Sequence, residues 1–270
     1  MPVLIGALSG IVFLRRQLTL PDPLINLQLF KIPLFRAALV TTSTALFMWC
    51  GIFLFVGQYL QLVLKMSAFT AGLWTLPAAI VSTIACSVAD GLSRIIRKPV
   101  LITIALCTMG AGLTVFTQIG TSLSVLLLAS MLISSGCGTA VTLSMGNVMT
   151  AAPPDRAGAA AGISETITTL GGSFGIALLG SIGVAVYRYY FFFLKAYKVP
   201  QSVMHDAANT FGAAVEVAEK LNPAGRQHLL AAAQSAFLES FRVSAAIAAL
   251  LMFVIAFVVW TMFRKSGSKK

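Results

Sequence analysis

A single acidic side chain lies within an apolar segment of this chain, and it is the residue best able to do chemistry there. Glu165 follows Gly158 by seven residues, which places it ~10 Å along a helix that begins at that glycine. An ionised carboxylate is costly in hydrocarbon, so such a group usually faces a cavity and often exchanges protons. Two interpretations remain open: a proton or cation site, and a structural carboxyl hydrogen-bonded to a neighbouring helix.

The residues at helical spacing around Glu165 are small or polar. Steps of four and three residues give a small-residue stripe of Gly158, Gly162, Glu165, Thr169 and Gly172. Small residues let helices approach closely, so the stripe predicts that Glu165 faces sister helices rather than lipid. The glycines expected to pack helices together are Gly158, Gly162, Gly171, Gly172 and Gly175.

Aromatic and amide side chains in other apolar segments could line a cavity. Trp49 and Phe53 have ring faces that attract organic cations, although ordinary packing would also explain them. Asn147 lies near the end of another segment and could line a gate or bond to a neighbouring helix. The candidate cavity residues are Trp49, Phe53, Gln58, Gln61, Thr169 and Asn147.

A basic turn offers a weaker candidate. Asp90 and Arg94 are four residues apart and would pair if the segment is helical. The turn is then either a cytoplasmic latch between helices or simply a positively charged anchor at the membrane surface.

Motifs typical of enzymes are missing from the sequence, which predicts a non-enzyme without cofactor or metal. It contains no H-E-x-x-H, no Walker A glycine loop and no G-x-S-x-G. A pump built on this chain would therefore draw on an ion gradient. The cysteines have no metal-ligand spacing and are predicted to be small buried packing residues; they are Cys50, Cys86, Cys107 and Cys137.

The elements that must position these residues are membrane-spanning helices. Only 10% of the residues are charged and 58% are apolar. In a soluble domain, about a quarter of the residues are charged. The net charge is +11, but the basic residues lie in short clusters between apolar runs. This arrangement argues against nucleic acid as a partner. Six runs reach the ~20 residues that a bilayer requires. They are residues 37–64, 71–89, 100–119, 123–149, 158–187 and 241–263. The predicted fold class is an all-α membrane protein with six complete transmembrane helices.

The remaining segments flank or connect these spans. Residues 1–14 are apolar but reach only ~20 Å, so we expect the end of a truncated transmembrane helix and hence a fragment. Residues 15–36 form a linker, 37–263 the six-helix bundle, and 264–270 a basic tail. The loops on the same side as the linker and the tail contain about twice as many lysine and arginine residues as the loops on the opposite side. The positive-inside rule therefore places the linker and the tail in the cytoplasm and loop 188–240 outside. Within that loop, Asn222 and Pro223 predict the start of an interfacial helix that leads into the last span.

Three stretches of sequence resemble a known family. They are PDPLINLQLF, then QYLQLVLKMSAFTAGLWTLP, then, after the basic turn, APPDRAGAAAGISETITTLGGSFGIALLGSI. Together they are similar to the C-terminal half of the fourteen-helix drug:proton antiporters of the major facilitator superfamily (the DHA2 branch). Within that branch, the methyl viologen and quaternary ammonium efflux proteins are the most similar.

The resemblance implies a fold, a function and a location. The fold would be half of a major facilitator bundle, and the missing N-terminal half would be the partner. The function would be proton-coupled export of lipophilic or quaternary ammonium cations across the bacterial cytoplasmic (inner) membrane. Glu165 matches a family position for cation recognition or proton coupling. The alternative is a non-transporting membrane subunit or receptor-like six-helix protein.

Overall fold

The computed structural model describes residues 27–193 and 205–267, together with positions 8, 9, 12, 15 and 16. Over these residues the chain is helical and contains no strand. The α-helices are α1 (Pro33–Gln58), α2 (Ala68–Leu92), α3 (Lys98–Phe116), α4 (Leu123–Ala151), α5 (Ala157–Phe193), α6 (Phe211–Ala218) and α7 (Pro223–Gly267). Two 3-10 helices (Leu27–Lys31 and Pro154–Arg156) precede α1 and α5, and a π-helical turn (Tyr59–Val63) extends α1.

Six helical segments of the described chain are long and apolar enough to cross a membrane. They are Pro33–Val63, Ala68–Leu92, Lys98–Phe116, Leu123–Ala151, Ala157–Phe193 and Pro223–Arg264. The prediction of a six-helix, all-α membrane protein is therefore confirmed. The predicted truncated helix over residues 1–14 lies largely outside the described residues.

Local sequence signals explain where several helices begin. Proline occupies the first turn of α1 and of α3, where its missing N–H costs nothing. Ser67 caps α2 by accepting a hydrogen bond from the Thr70 amide at 3.2 Å. Asn222 caps α7 in the same way, because its Oδ1 accepts from the Gly225 amide at 2.8 Å. The predicted helix start at Asn222 and Pro223 is confirmed.

The end of α1 is irregular. Its last turn widens to a π-helix in which the Leu64 amide donates to the Tyr59 carbonyl at 3.1 Å. The Tyr59 hydroxyl donates to the Gly120 carbonyl at 2.8 Å and ties this turn to the connection between α3 and α4. Lys65 then adopts a positive φ of 53°, which reverses the chain towards α2.

The helices pack in two layers. One layer runs α2, α4, α1 and α5 in that order, and the second consists of α3 and α7. Helix α3 packs against α4 and α7, while α7 also packs against α5 and α1. Helix α2 lies at one edge of the first layer and packs mainly against α4, so most of its surface is exposed within this chain.

The main core lies between the layers and is rich in aromatic rings. Phe241 of α7 is at its centre, with ring centroids 5.4 Å from Phe55 and 5.0 Å from Phe116. A smaller apolar cluster lies at the other end of the bundle, around Phe35 and Ile163. Both clusters hold α1 in contact with α5 or α7, which fixes the position of the aromatic segment singled out in the sequence.

Two expectations differ from the structure. The predicted interfacial helix and the last span are one continuous helix, α7, of 45 residues, because no proline or glycine interrupts residues 226–266. The cysteines are not all buried: Cys137 is buried, Cys50 and Cys86 are half-buried, and Cys107 is exposed. Cys107 lies on the outer face of α3, where a small apolar side chain can face lipid as readily as protein.

Candidate functional site

A cavity of about 580 Å³ lies between α1, α2 and α4. We call it the aromatic pocket. Helix α1 contributes Leu46, Trp49 and Phe53 to its lining; α2 contributes Thr75, Ala78, Ala79, Ser82, Thr83 and Cys86; α4 contributes Ser134, Cys137, Gly138 and Val141. Ligand cavities in proteins commonly enclose about 300–1,000 Å³, so a drug-sized molecule fits this volume.

One wall of the aromatic pocket is a stacked pair of rings. The ring centroids of Trp49 and Phe53 are 4.6 Å apart and the ring planes are inclined by 26°. They are one helical turn apart on α1, which places both rings on the same face. The indole Nε1 of Trp49 donates to the Ser134 hydroxyl of α4 at 3.3 Å. This hydrogen bond fixes the orientation of the indole ring in the wall.

The opposite wall is built from small side chains of α2 and α4. Helices α2 and α4 approach closely at Gly138, because a Cβ there would lie 2.7 Å from Ser82 Oγ and 2.8 Å from Cys86 Sγ, and those side chains would have to move. The hydroxyl groups of Thr83 and of other α2 residues bond back to carbonyls of their own helix. The wall therefore presents mainly apolar and weakly polar surface.

Over the part of the chain that the structure describes, the lining of the aromatic pocket contains no lysine, arginine, aspartate, glutamate or histidine. It offers apolar contact, two aromatic ring faces and a few hydroxyl and thiol groups. Such a lining favours a lipophilic molecule, and the ring faces add attraction for a cation within about 6 Å of a ring centroid.

Glu165 lies outside the aromatic pocket. Its side chain is exposed on α5, whereas the pocket is bounded by α1, α2 and α4. The expectation that the carboxyl faces sister helices of this chain is therefore wrong. Thr169 is exposed on the same side of α5, and a Cβ added to Gly158 or Gly162 would have no neighbour within 4 Å. The first part of the small-residue stripe is thus uncovered by the described residues.

The glycines further along α5 lie against α1. A Cβ at Gly171 would be 2.5 Å from the Ser43 carbonyl oxygen, and one at Gly172 would be 3.0 Å from Cys50 Sγ. Gly175 lies against the Phe47 carbonyl. The α1–α5 contact uses Gly171, Gly172 and Gly175, whereas Gly158 and Gly162 make no comparable contact. Gly158 and Gly162 face away because the first turns of α5 pack against α1 through Ala160 and Ile163 instead.

The other candidate cavity residues are dispersed. Gln58 lies in a separate cavity of about 290 Å³ beside Tyr187 of α5. Gln61 lies in a further cavity at the end of α1. Asn147 is buried, and its amide nitrogen has no hydrogen-bond partner in the part of the chain that the structure describes. Of the six candidates, the structure brings together only Trp49 and Phe53.

The basic turn does not contain the expected pair. Asp90 and Arg94 are both exposed and form no ion pair with each other. Helix α2 ends at Leu92, so Arg94 lies beyond the helix and loses the i, i+4 geometry. The Ser93 hydroxyl instead donates to the Asp90 carbonyl at 2.8 Å.

Sequence reasoning missed the α2 wall of the aromatic pocket. Its residues follow a helical pattern in the sequence, with Thr75, Ala79, Ser82 and Cys86 advancing by four, three and four. Such a stripe of small side chains on an apolar helix could have been noted as a packing or cavity face. Ser134, which holds the Trp49 indole, carried no distinguishing signal.

Fold and pocket together define a multi-pass helical membrane protein with an apolar, aromatic cavity between its helices. Residues 3–176 match the model of the Major Facilitator Superfamily, and the chain belongs to this family of membrane transporters.

Three relatives match this chain over more than nine tenths of its length. It is 31% identical over 267 residues to the multidrug efflux pump LfrA of Mycolicibacterium smegmatis, covering 97% of this chain and 52% of LfrA. It is 28% identical to the methyl viologen resistance protein SmvA of Salmonella typhimurium, covering 98% and 53% of the two chains. It is also 28% identical to the multidrug resistance protein Stp of Mycobacterium tuberculosis, covering 93% and 48%. The chain thus spans about half the length of these relatives.

Proposed function

We propose that this chain forms one half of a multidrug efflux carrier that exports lipophilic and quaternary ammonium cations in exchange for protons. The observation that carries the proposal is the stacked pair of Trp49 and Phe53 in the wall of an uncharged cavity of about 580 Å³. A second six-helix half would be its partner, and the bacterial cytoplasmic membrane its location. The linker and the tail would face the cytoplasm.

The aromatic pocket suits organic cations for a physical reason. A quaternary ammonium ion cannot donate hydrogen bonds, so a ring face replaces part of its hydration better than a neutral hydroxyl does. The remaining apolar lining accommodates the hydrocarbon part of the molecule. The names of the relatives support this reading, because they describe multidrug efflux and resistance to methyl viologen.

Glu165 is the proposed coupling residue. It is exposed on α5 within an apolar span, and such a carboxyl in a membrane is best accommodated at a water-filled cavity or an interface with a second bundle. We propose that the second half covers this side of α5 and that Glu165 there alternates between proton and cation. Thr169, one turn further on, would line the same space.

Binding to the aromatic pocket can be tested on the purified chain with ethidium, a fluorescent organic cation. The variant Trp49→Leu removes one ring face and should weaken binding about 2–30-fold, which corresponds to a cation–π contribution of about 0.5–2 kcal/mol. Trp74→Leu is the matched control, because Trp74 is on α2 and does not line the pocket. Equal effects of the two variants would contradict the assignment of the pocket.

Coupling needs a carrier that contains both halves. Glu165→Gln in such a carrier should lower resistance to organic cations and abolish the proton release that accompanies their binding. Glu216→Gln, which alters an exposed acid on α6, serves as the control. Unchanged resistance together with unchanged proton release would remove Glu165 from the mechanism without affecting the pocket assignment.

A further inference from the structure

A second cavity of about 580 Å³ lies at the end of the bundle where α1 ends and α7 begins. We call it the end pocket. It is separate from the aromatic pocket and shares no lining residue with it. Its polar lining consists of Gln61, Lys65, Arg226, Gln227 and Gln234.

The end pocket is positively charged. Lys65 and Arg226 both line it, and neither forms an ion pair with an acid in the described part of the chain. Pro223 at the start of α7 also lines the pocket, so the positive end of the helix dipole adds to the potential. Among the described residues, none of those that line the end pocket is acidic. These groups together favour a negatively charged ligand that accepts several hydrogen bonds.

The remaining lining is apolar. Leu62 of the π-helical turn, Phe211 of α6 and Leu230 of α7 face the same cavity as the two cations. A small inorganic anion would leave this surface in contact with water. An amphiphile, with an anionic group next to a hydrocarbon part, would contact both kinds of surface.

The end pocket lies beside the end of a candidate membrane span, which points to lipid as a source of such amphiphiles. The first candidate span ends at Val63. Gln61 therefore lies in the last turn of this span, and Lys65 lies two residues beyond its end. The headgroup region begins where the hydrocarbon ends and is about 5–7 Å deep on each side. Lysine and arginine side chains near a membrane surface attract anionic lipid headgroups.

We propose that the end pocket binds the phosphate of an anionic phospholipid headgroup. Lys65 and Arg226 contact the phosphate oxygens, the glutamine amides donate further hydrogen bonds, and the apolar wall contacts the glycerol and the first acyl carbons. This site is independent of drug binding and of Glu165. A soluble phosphate ester shares the same anionic chemistry and is the alternative source that the experiment must separate.

The test measures lipid binding to the purified full chain by native mass spectrometry in detergent, with phosphatidylglycerol compared against phosphatidylcholine. The wild-type chain should prefer phosphatidylglycerol. The double variant Lys65→Gln/Arg226→Gln should bind it at least ~10-fold more weakly, because one charge-assisted hydrogen bond alone has about that effect. The control Arg94→Gln/Lys220→Gln removes the same charge from exposed residues outside the pocket and should retain the preference.

A third variant keeps both charges. Leu230→Trp fills the apolar side of the end pocket and should also weaken phosphatidylglycerol binding, with size-exclusion profiles and circular dichroism verifying that each variant is folded. The proposal is overturned if phosphatidylcholine binds as well as phosphatidylglycerol, or if the control pair loses as much binding as the pocket pair. Displacement of the lipid by an equal concentration of glycerol 3-phosphate would assign the site to a soluble ester and overturn the lipid assignment.

Discussion

The contact between α1 and α5 makes Gly171→Ala a sharp test of the helix packing. An alanine Cβ at this position would lie 2.5 Å from both the carbonyl oxygen and the Oγ of Ser43. Ordinary contacts begin at about 3.5 Å, so α1 and α5 would have to separate by about 1 Å. Because one of the two contacts is with backbone, rotation of the Ser43 side chain cannot relieve it.

The expected magnitude follows from a matched pair of glycines on the same helix. Overpacking of this kind costs about 1–3 kcal/mol, while replacing glycine by alanine in a helix gains about 1 kcal/mol from propensity. Gly162→Ala has the same propensity gain but no atom within 4 Å of the new methyl group. The propensity gain cancels in the comparison, so Gly171→Ala should be about 1–3 kcal/mol less stable than Gly162→Ala.

The assay is reversible unfolding of the purified chain by SDS in mixed micelles, followed by circular dichroism. Stabilities of the two alanine variants within about 0.5 kcal/mol of each other would refute the packing argument. A second check uses Ser43→Ala in the Gly171→Ala background. It should restore only part of the loss, because the carbonyl contact remains, and complete recovery would show that the backbones do not approach as closely as described.

Three further predictions concern the helix ends and can be measured by the same unfolding assay. Asn222→Ala removes the hydrogen bond to the Gly225 amide and should cost about 1 kcal/mol, with faster amide exchange confined to the first turn of α7. Arg242→Gln removes the 2.8 Å bond from Arg242 Nε to the Ile119 carbonyl and the half-exposed ion pair with Glu239; the charge-assisted bond to the carbonyl contributes about 1.5–3 kcal/mol, and no loss would show that water replaces it fully. Asp90→Asn should change stability by less than about 0.5 kcal/mol, because this exposed carboxyl has no ion-pair partner in the described chain, and a larger loss would reveal a latch after all.

The number and class of the helices could be predicted because the bilayer imposes a simple rule on composition and length. Each span needs about 20 apolar residues, and six runs of this length are visible in the sequence. Helix lengths were harder to predict, because the length of an apolar run reflects the thickness of the hydrocarbon core and the helix can extend beyond that run. Helix α7 shows the difference: its polar first turns continue an unbroken helix into the span.

The candidate site could be predicted only in part. Trp49 and Phe53 were recognised because aromatic rings on one helical face are visible in a single segment. Their partners come from α2 and α4, and small residues such as Ser134 and Gly138 acquire their role only through packing between helices. Glu165 shows a different limit of the sequence pattern. The small-residue stripe marked one face of α5 as unusual, but it did not indicate which helices pack against that face.

The length of α7 gives the end of the bundle a mechanical property. About 18 residues of this rigid rod, from Pro223 to Ser240, precede the core aromatic Phe241, which corresponds to a lever of ~27 Å. A tilt of the membrane-embedded segment by only ~10° would displace the first turn sideways by ~5 Å, since that turn has no hinge to absorb the rotation. Small reorientations at the level of Phe241 would thereby be amplified into a change of shape around Arg226, in the lining of the end pocket.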